Sequence, residues 1–125
     1  MPRQILDESR LHPAIRDKVA NLNADIVHNV QAAAGSNPVL VVGMRGNPHC
    51  RRARAALVAA GVPHHYLEYG SYLSAWRQRN ALKMWSGWPT FPQVFVRGQL
   101  VGGEDLTKAA LSDGSLRNLL STPRV

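Results

Sequence analysis

A chain of 125 residues with 45% hydrophobic content is long enough for one buried core and too short for two ordinary domains. Its one cysteine excludes an intrachain disulfide and a zinc site built from several thiolates of one subunit; with no run of about 18 apolar residues and no apolar leader in MPRQILDESR, neither membrane insertion nor secretion is expected, and the default location is cytoplasmic. The formal charge of +7 does not point to nucleic acid, because the basic residues are scattered apart from a short cluster at 51–54, with no finger motif or aromatic-basic repeat beside them.

From Leu11 to Ala34, apolar residues recur at Ile15, Val19, Leu22, Ile26, Val27 and Val30, close to helical spacing, and the pattern stops before Gly35-Ser36-Asn37-Pro38. The expectation is one amphipathic helix, an extension whose apolar stripe packs on the rest of the chain. VLVVG, starting at Val39, is short, β-branched and almost wholly apolar, as a strand buried on both faces should be. The loop Gly46-Asn47-Pro48-His49 leads to Cys50, which opens a helical pattern running to Ala60 and closed by Gly61. After Val62-Pro63, HHYLEY alternates as a second strand, and Tyr72 to Trp85 reads as another helix. Gln93–Val96, a turn at Arg97-Gly98 and Gln99–Val101 predict a β-hairpin, after which GGEDLTKAALSDGSLRNLL supplies one or two short helices. This order predicts an α/β, thioredoxin-like fold: a small four-stranded mixed sheet flanked by helices.

Cys50 is the first candidate site residue. A lone cysteine is more often a buried structural residue, but this one follows a polar loop at a helix start, where free N–H groups, the helix dipole and Arg51, Arg52 and Arg54 favour a thiolate. A lowered thiol pKa is therefore expected. His49 next to it would favour the thiolate if protonated, whereas His64 and His65, neighbours in a strand, face opposite ways and are no metal pair. Thr90-Phe91-Pro92 precedes a strand, and Pro92 is either a plain strand-start proline or, in the cis form, a device that turns the backbone of Phe91 toward a ligand's peptide backbone. Gly102-Gly103-Glu104-Asp105 is either a turn with an acidic first helical turn, or a place where helix N–H groups and Asp105 take the carboxylate and amino ends of a small peptide. Arg45 and Arg79 can each hold a carboxylate if the fold brings them to the cysteine, although most arginines are solvated. Trp76, Trp85 and Trp88 read as core and rim packing.

Taken together, these parts resemble the glutaredoxin family, and within it the monothiol branch, from about Ser36 to Leu120. NPVLVVGMRG is similar to that branch's opening strand and basic residue, and ALKMWSGWPTFPQVFVRGQLVGGEDL to its most recognisable block. The resemblance implies an N-terminal helical extension over 1–35 and a glutaredoxin domain over 36–125. It implies that Arg45 lies near the glycine carboxylate of glutathione, that Cys50 is the active-site cysteine, and that Arg79 binds a carboxylate. It further implies that Thr90, Phe91 and Pro92 form the cis-proline segment pairing with the cysteinyl part, and that Gly103, Glu104 and Asp105 receive the γ-glutamyl end. In that branch the cysteine, within a CGFS motif, ligates a [2Fe-2S] cluster together with glutathione across a dimer, which would make Cys50 a metal ligand here and the partner a second, cluster-bridged copy.

Two departures stand against this pattern. The chain reads Cys50-Arg51-Arg52-Ala53 in place of CGFS, and the loop from Arg45 to Cys50 is shorter than in that branch. Arg51 would crowd a shared cluster, and Ala53 lacks the hydroxyl of the branch's serine. Three functions follow. The first is glutathione and iron-sulfur cluster binding or transfer to client proteins, with a role in redox homeostasis. The second is reduction of glutathionylated proteins, in which the Cys50 thiolate attacks the glutathione sulfur, the protein thiol leaves, and a second glutathione attacks the Cys50–glutathione disulfide. The third is a partner-recognition module on a thioredoxin fold in which Cys50 is incidental.

Overall fold

The computed structural model describes residues 3–121, so the outer bounds expected for the two regions, residues 1 and 125, lie outside it. After a short 3-10 turn at Glu8–Arg10, the elements run α1 (Pro13–Asn21), α2 (Ala24–Ser36), β1 (Val39–Gly43), α3 (Pro48–Ala59), β2 (His65–Glu68), α4 (Trp76–Ser86), β3 (Gln93–Val96), β4 (Gln99–Gly102), α5 (Glu104–Asp113) and α6 (Ser115–Ser121). The four strands form one sheet in the order β2-β1-β3-β4. β1 pairs with β2 in parallel and with β3 antiparallel, and β3 pairs with β4 antiparallel. This is the mixed sheet expected from the order of elements.

β1 is buried along its whole length, as its unbroken apolar run requires. Alternation along the strands then sends side chains to two cores. Leu40, Val42 and Phe95 meet Ile26, Val30 and Ala34 of α2 and Leu82 of α4 on one face, and Val39, Val41, Val94 and Val96 meet Leu57 of α3 and Leu116 of α6 on the other. The hairpin turns at Arg97 (φ 52) and Gly98 (φ 79), two consecutive left-handed residues that match the twist of the flanking strands.

Two helices differ from the sequence reading. The single helix expected from Leu11 to Ala34 is two, because Leu22 is extended and Asn23 takes a left-handed conformation (φ 48), one of the few residue types that tolerate it. The break separates the stripe: Ile26 and Val30 are buried, whereas α1 buries none of its residues and leaves Ile15 and Val19 exposed. α2 also runs through Gly35 to Ser36. The helix expected from Tyr72 begins at Trp76, because Ser71–Ser74 closes a turn of its own, held by a bridge between Ser71 and Ser74.

Candidate functional site

The loop after β1 places Cys50 two residues inside α3, whose first helical residue is Pro48. Pro48 lacks an N–H that the first turn would leave unpaired, and the Asn47 side chain caps the helix by accepting from the N–H groups of His49 (2.8 Å) and Cys50 (3.1 Å). The sulfur is buried, with Cys50 1% exposed and packed in the α2–α4 core beside Met44 and Phe91. A Cβ on Gly43 would sit 2.8 Å from Cys50 Sγ and 3.1 Å from the Tyr66 ring and hydroxyl, so the absent side chain of Gly43 makes the space in which these groups meet.

Burial pushes the Cys50 thiol above its ordinary value, the negative charge of Glu68 pushes it further, and the Met44 amide and Arg54 only partly offset them. The lowered thiol pKa expected from the helix start is therefore reversed. Around the sulfur, Tyr66 donates to Glu68 Oε1 (3.0 Å) and carries the Arg54 guanidinium 3.9 Å above its ring. Burial and the Glu68 hydrogen bond hold Tyr66 neutral. Cys50, Arg51, Arg54, His64, Tyr66 and Glu68 border a first hollow of about 370 Å³.

A second hollow, of about 400 Å³, is bordered by His49, Trp88, Thr90, Phe91, Pro92 and the Gly103–Leu106 segment, and Cys50 does not line it. The Phe91–Pro92 bond is cis, as the resemblance implies. The β1–β3 ladder begins at Gln93, so the backbone of Phe91 lies outside it and open to pairing with a bound peptide. On the facing side Gly103 precedes α5 as its N-cap and offers no side-chain cap, leaving the first amides of the helix available, with Asp105 exposed in the first turn. The indole Nε1–H of Trp88 is shielded and has no partner among the described residues; it lies 3.6 Å from where a Gly103 Cβ would sit.

Glu104 joins the starts of α3 and α5. His49 Nδ1 donates to Oε1 (2.7 Å), while Arg52 Nε (3.0 Å) and Lys108 Nζ (2.7 Å) donate to Oε2. These donors, Lys108 foremost, then His49 and Arg52, lower the carboxyl pKa to about 2. Glu104 is therefore ionised at neutral pH and engaged by these donors rather than a free acceptor. The sequence reading assigned Arg52 to the Cys50 thiolate and gave Lys108 no role; the structure places both on Glu104. The Glu104-Lys108 spacing of four was a readable signal, but nothing local connects position 52 to position 104.

Arg45 and Arg79 lie outside both hollows. Arg45 is exposed, its Nε 3.6 Å from Glu68 and its N–H bonded to Gly70 O (2.7 Å). Arg79 is 6% exposed and donates through Nη1 to the carbonyls of Tyr69 and Ser74, so it braces the turn before α4. Trp76 is exposed, Trp85 stacks on Phe95 with ring centroids 5.9 Å apart, and Trp88 borders the second hollow.

A shared [2Fe-2S] cluster needs an ionised, accessible sulfur on each chain. Cys50 is buried with a raised pKa, and the following Arg51 borders the same hollow. As folded, these residues do not fit the cluster.

Comparison with known proteins agrees with the fold. Residues 39–101 match the family model described as glutaredoxin. The chain is 45% identical over 104 residues to a glutaredoxin-like protein of Dictyostelium discoideum, covering 83% of this chain and 85% of that protein. It is 37% identical over 89 residues to a bifunctional chloroplastic monothiol glutaredoxin of Arabidopsis thaliana, covering 65% of this chain and 29% of that longer protein. Among solved structures, a buckwheat glutaredoxin in complex with glutathione superposes with a TM-score of 0.71 at 25% identity, covering 81% of this chain and 92% of that one.

Proposed function

The chain belongs to the glutaredoxin family, and from that premise we propose that it binds glutathione non-covalently in the hollow between the cis Phe91–Pro92 bond and the start of α5. The observation that carries this reading is the hollow itself, in which the backbone of Phe91, outside the β1–β3 ladder, lies opposite the uncapped start of α5. The chemistry of the walls suits the ligand. Phe91 pairs with the cysteinyl peptide unit, the α5 amides receive carboxylate or carbonyl oxygens, and Asp105 takes the ammonium. Glu104, held by His49, Arg52 and Lys108, orients the α5 start instead of contacting the ammonium.

Cluster ligation and reduction of protein–glutathione disulfides both require a sulfur that emerges from the core. The burial of Cys50 favours a second reading, recognition of a partner or of glutathione without thiol exchange. Titrating ¹⁵N-labelled protein with reduced glutathione tests the proposal. Shifts should concentrate at Phe91, Gly103, Glu104 and Asp105, and Asp105→Ala should weaken binding. No shifts, or shifts confined to Gly46, Arg51 and Tyr66, would overturn it. Turnover of a glutathionylated substrate that vanishes in Cys50→Ser would show that the sulfur does emerge and that exchange, not passive binding, is the function.

A further inference from the structure

Leu73 is 95% exposed, between Tyr72 and Trp76 at 64% and 55%. Apolar side chains pushed this far into water are ordinary on a loose loop, but this segment is tied down. Ser71 donates its N–H to Ser74 Oγ (3.1 Å), Leu73 donates its N–H to Ser71 Oγ (3.2 Å), and Ser74 donates its N–H to Ser71 O (3.2 Å). From beneath, buried Arg79 donates to the carbonyls of Tyr69 and Ser74, and the Arg45 N–H is bonded to Gly70 O. Ala75 then enters α4 in a left-handed conformation (φ 58), which costs free energy for a residue with a Cβ. A braced turn with a strained exit thus holds an apolar tip away from the core, an arrangement that marks an interaction surface.

The charge around the tip selects the partner. Between Glu68 and Glu104 the chain has no acidic residue, and the exposed basic residue adjoining the tip is Arg77. Arg77 lies with its guanidinium 5.3 Å from the Trp76 ring and makes no ion pair among the described residues. Glu68, the nearest carboxylate in sequence, is already engaged by Arg45 and Tyr66. We propose that the Tyr72-Leu73-Trp76 tip docks a segment of another protein, one whose apolar side chains cover Leu73 and Trp76 and whose carboxylates meet Arg77. None of these residues borders either hollow near Cys50, so this surface stands or falls independently of glutathione binding.

The test is fluorescence anisotropy with two labelled twelve-residue peptides, one carrying Leu and Phe among Asp and Glu, the other the same with Lys replacing every acid. The acidic peptide should bind, and the basic one at least about tenfold more weakly. Leu73→Ser and Arg77→Glu should each weaken binding about tenfold, with far-UV circular dichroism and the glutathione-induced shifts unchanged. Equal binding of both peptides, binding of neither, or binding indifferent to Leu73→Ser overturns the proposal. So does a wild-type dimer in sedimentation that Leu73→Ser dissolves, since it would assign the tip to a second copy of this chain.

Discussion

Gly43→Ala tests whether the sulfur of Cys50 lies where the core places it. Gly43 ends β1 and is fixed there, paired with Glu68 across the sheet and accepting the N–H of Tyr69 (2.9 Å). A new Cβ would lie 2.8 Å from Cys50 Sγ and 3.1 Å from Tyr66, about 1 Å inside the ordinary separation of such atoms. Neither neighbour is the free end of a flexible chain, because Cys50 sits in a capped helix and Tyr66 is held between Arg54 and Glu68. Overpacking of this kind costs about 1–3 kcal/mol. For a chain of this length, with an unfolding entropy of about 2 cal/mol/K per residue, that is a fall of roughly 4–12 °C in Tm. The decisive measurement is the cycle with Cys50→Ala in urea denaturation at constant m-value. Cys50→Ala alone leaves a small void; combined with Gly43→Ala, the new methyl enters the space the sulfur left. The double variant should be more stable than the sum of the single effects by about 1 kcal/mol or more. Strict additivity would refute the placement of the thiol against Gly43, and with it the argument that Cys50 is shielded.

Other expectations follow from the same geometry. Alkylation of Cys50 by iodoacetamide, followed by mass spectrometry at pH 7, should be slower than that of glutathione in the same buffer, because burial raises the thiol pKa; a faster rate would restore the activated thiolate. Glu104 has a folded pKa of about 2, below its unfolded value, so its contribution to stability is fully present above the unfolded carboxylate range and is lost as pH falls toward 2. Glu104→Gln should therefore lower urea stability by a constant amount between pH 7 and 5.5, with the difference from wild type closing on acidification; a difference that persists at pH 2 would assign the loss to packing. Ile26, 2% exposed on α2, and Ile15, 42% exposed on α1, offer the same side chain on either side of the helix break. Ile26→Ala should cost about 2–5 kcal/mol and Ile15→Ala less than about 1 kcal/mol, and equal costs in chemical denaturation would mean that α1 packs as firmly as α2.

What could be read along the chain was whatever is decided locally. VLVVG declares a strand buried on both faces, Arg97-Gly98 a tight hairpin, and Gly61 a helix end, because in each case neighbouring residues impose the backbone geometry. The alternation of strands and helices then leaves few ways to cover a small sheet. The family resemblance added the cis Phe91–Pro92 bond, which base rates for X–Pro bonds alone would not have favoured.

Contacts between distant positions decided the rest. The periodicity across Leu22-Asn23 is unbroken in sequence, yet Asn23 turns left-handed and α2 alone reaches the core. The local features of Cys50, a helix start and three arginines, argue for a thiolate. Its actual environment is supplied by Gly43 and Tyr66 of two strands and by Phe91 beside the cis bond, and desolvation by those groups outweighs the helix terminus. Glu104 likewise gained its role from Arg52 and His49, brought to it by the packing of α3 against α5. The sequence by itself determined the strands, the order of the elements and most of the helices, since backbone preference and hydrophobic period act over a few residues; only the tertiary structure decided where the N-terminal helix breaks, how deeply each reactive group is buried and which charges face it, since these depend on atoms from elsewhere in the chain.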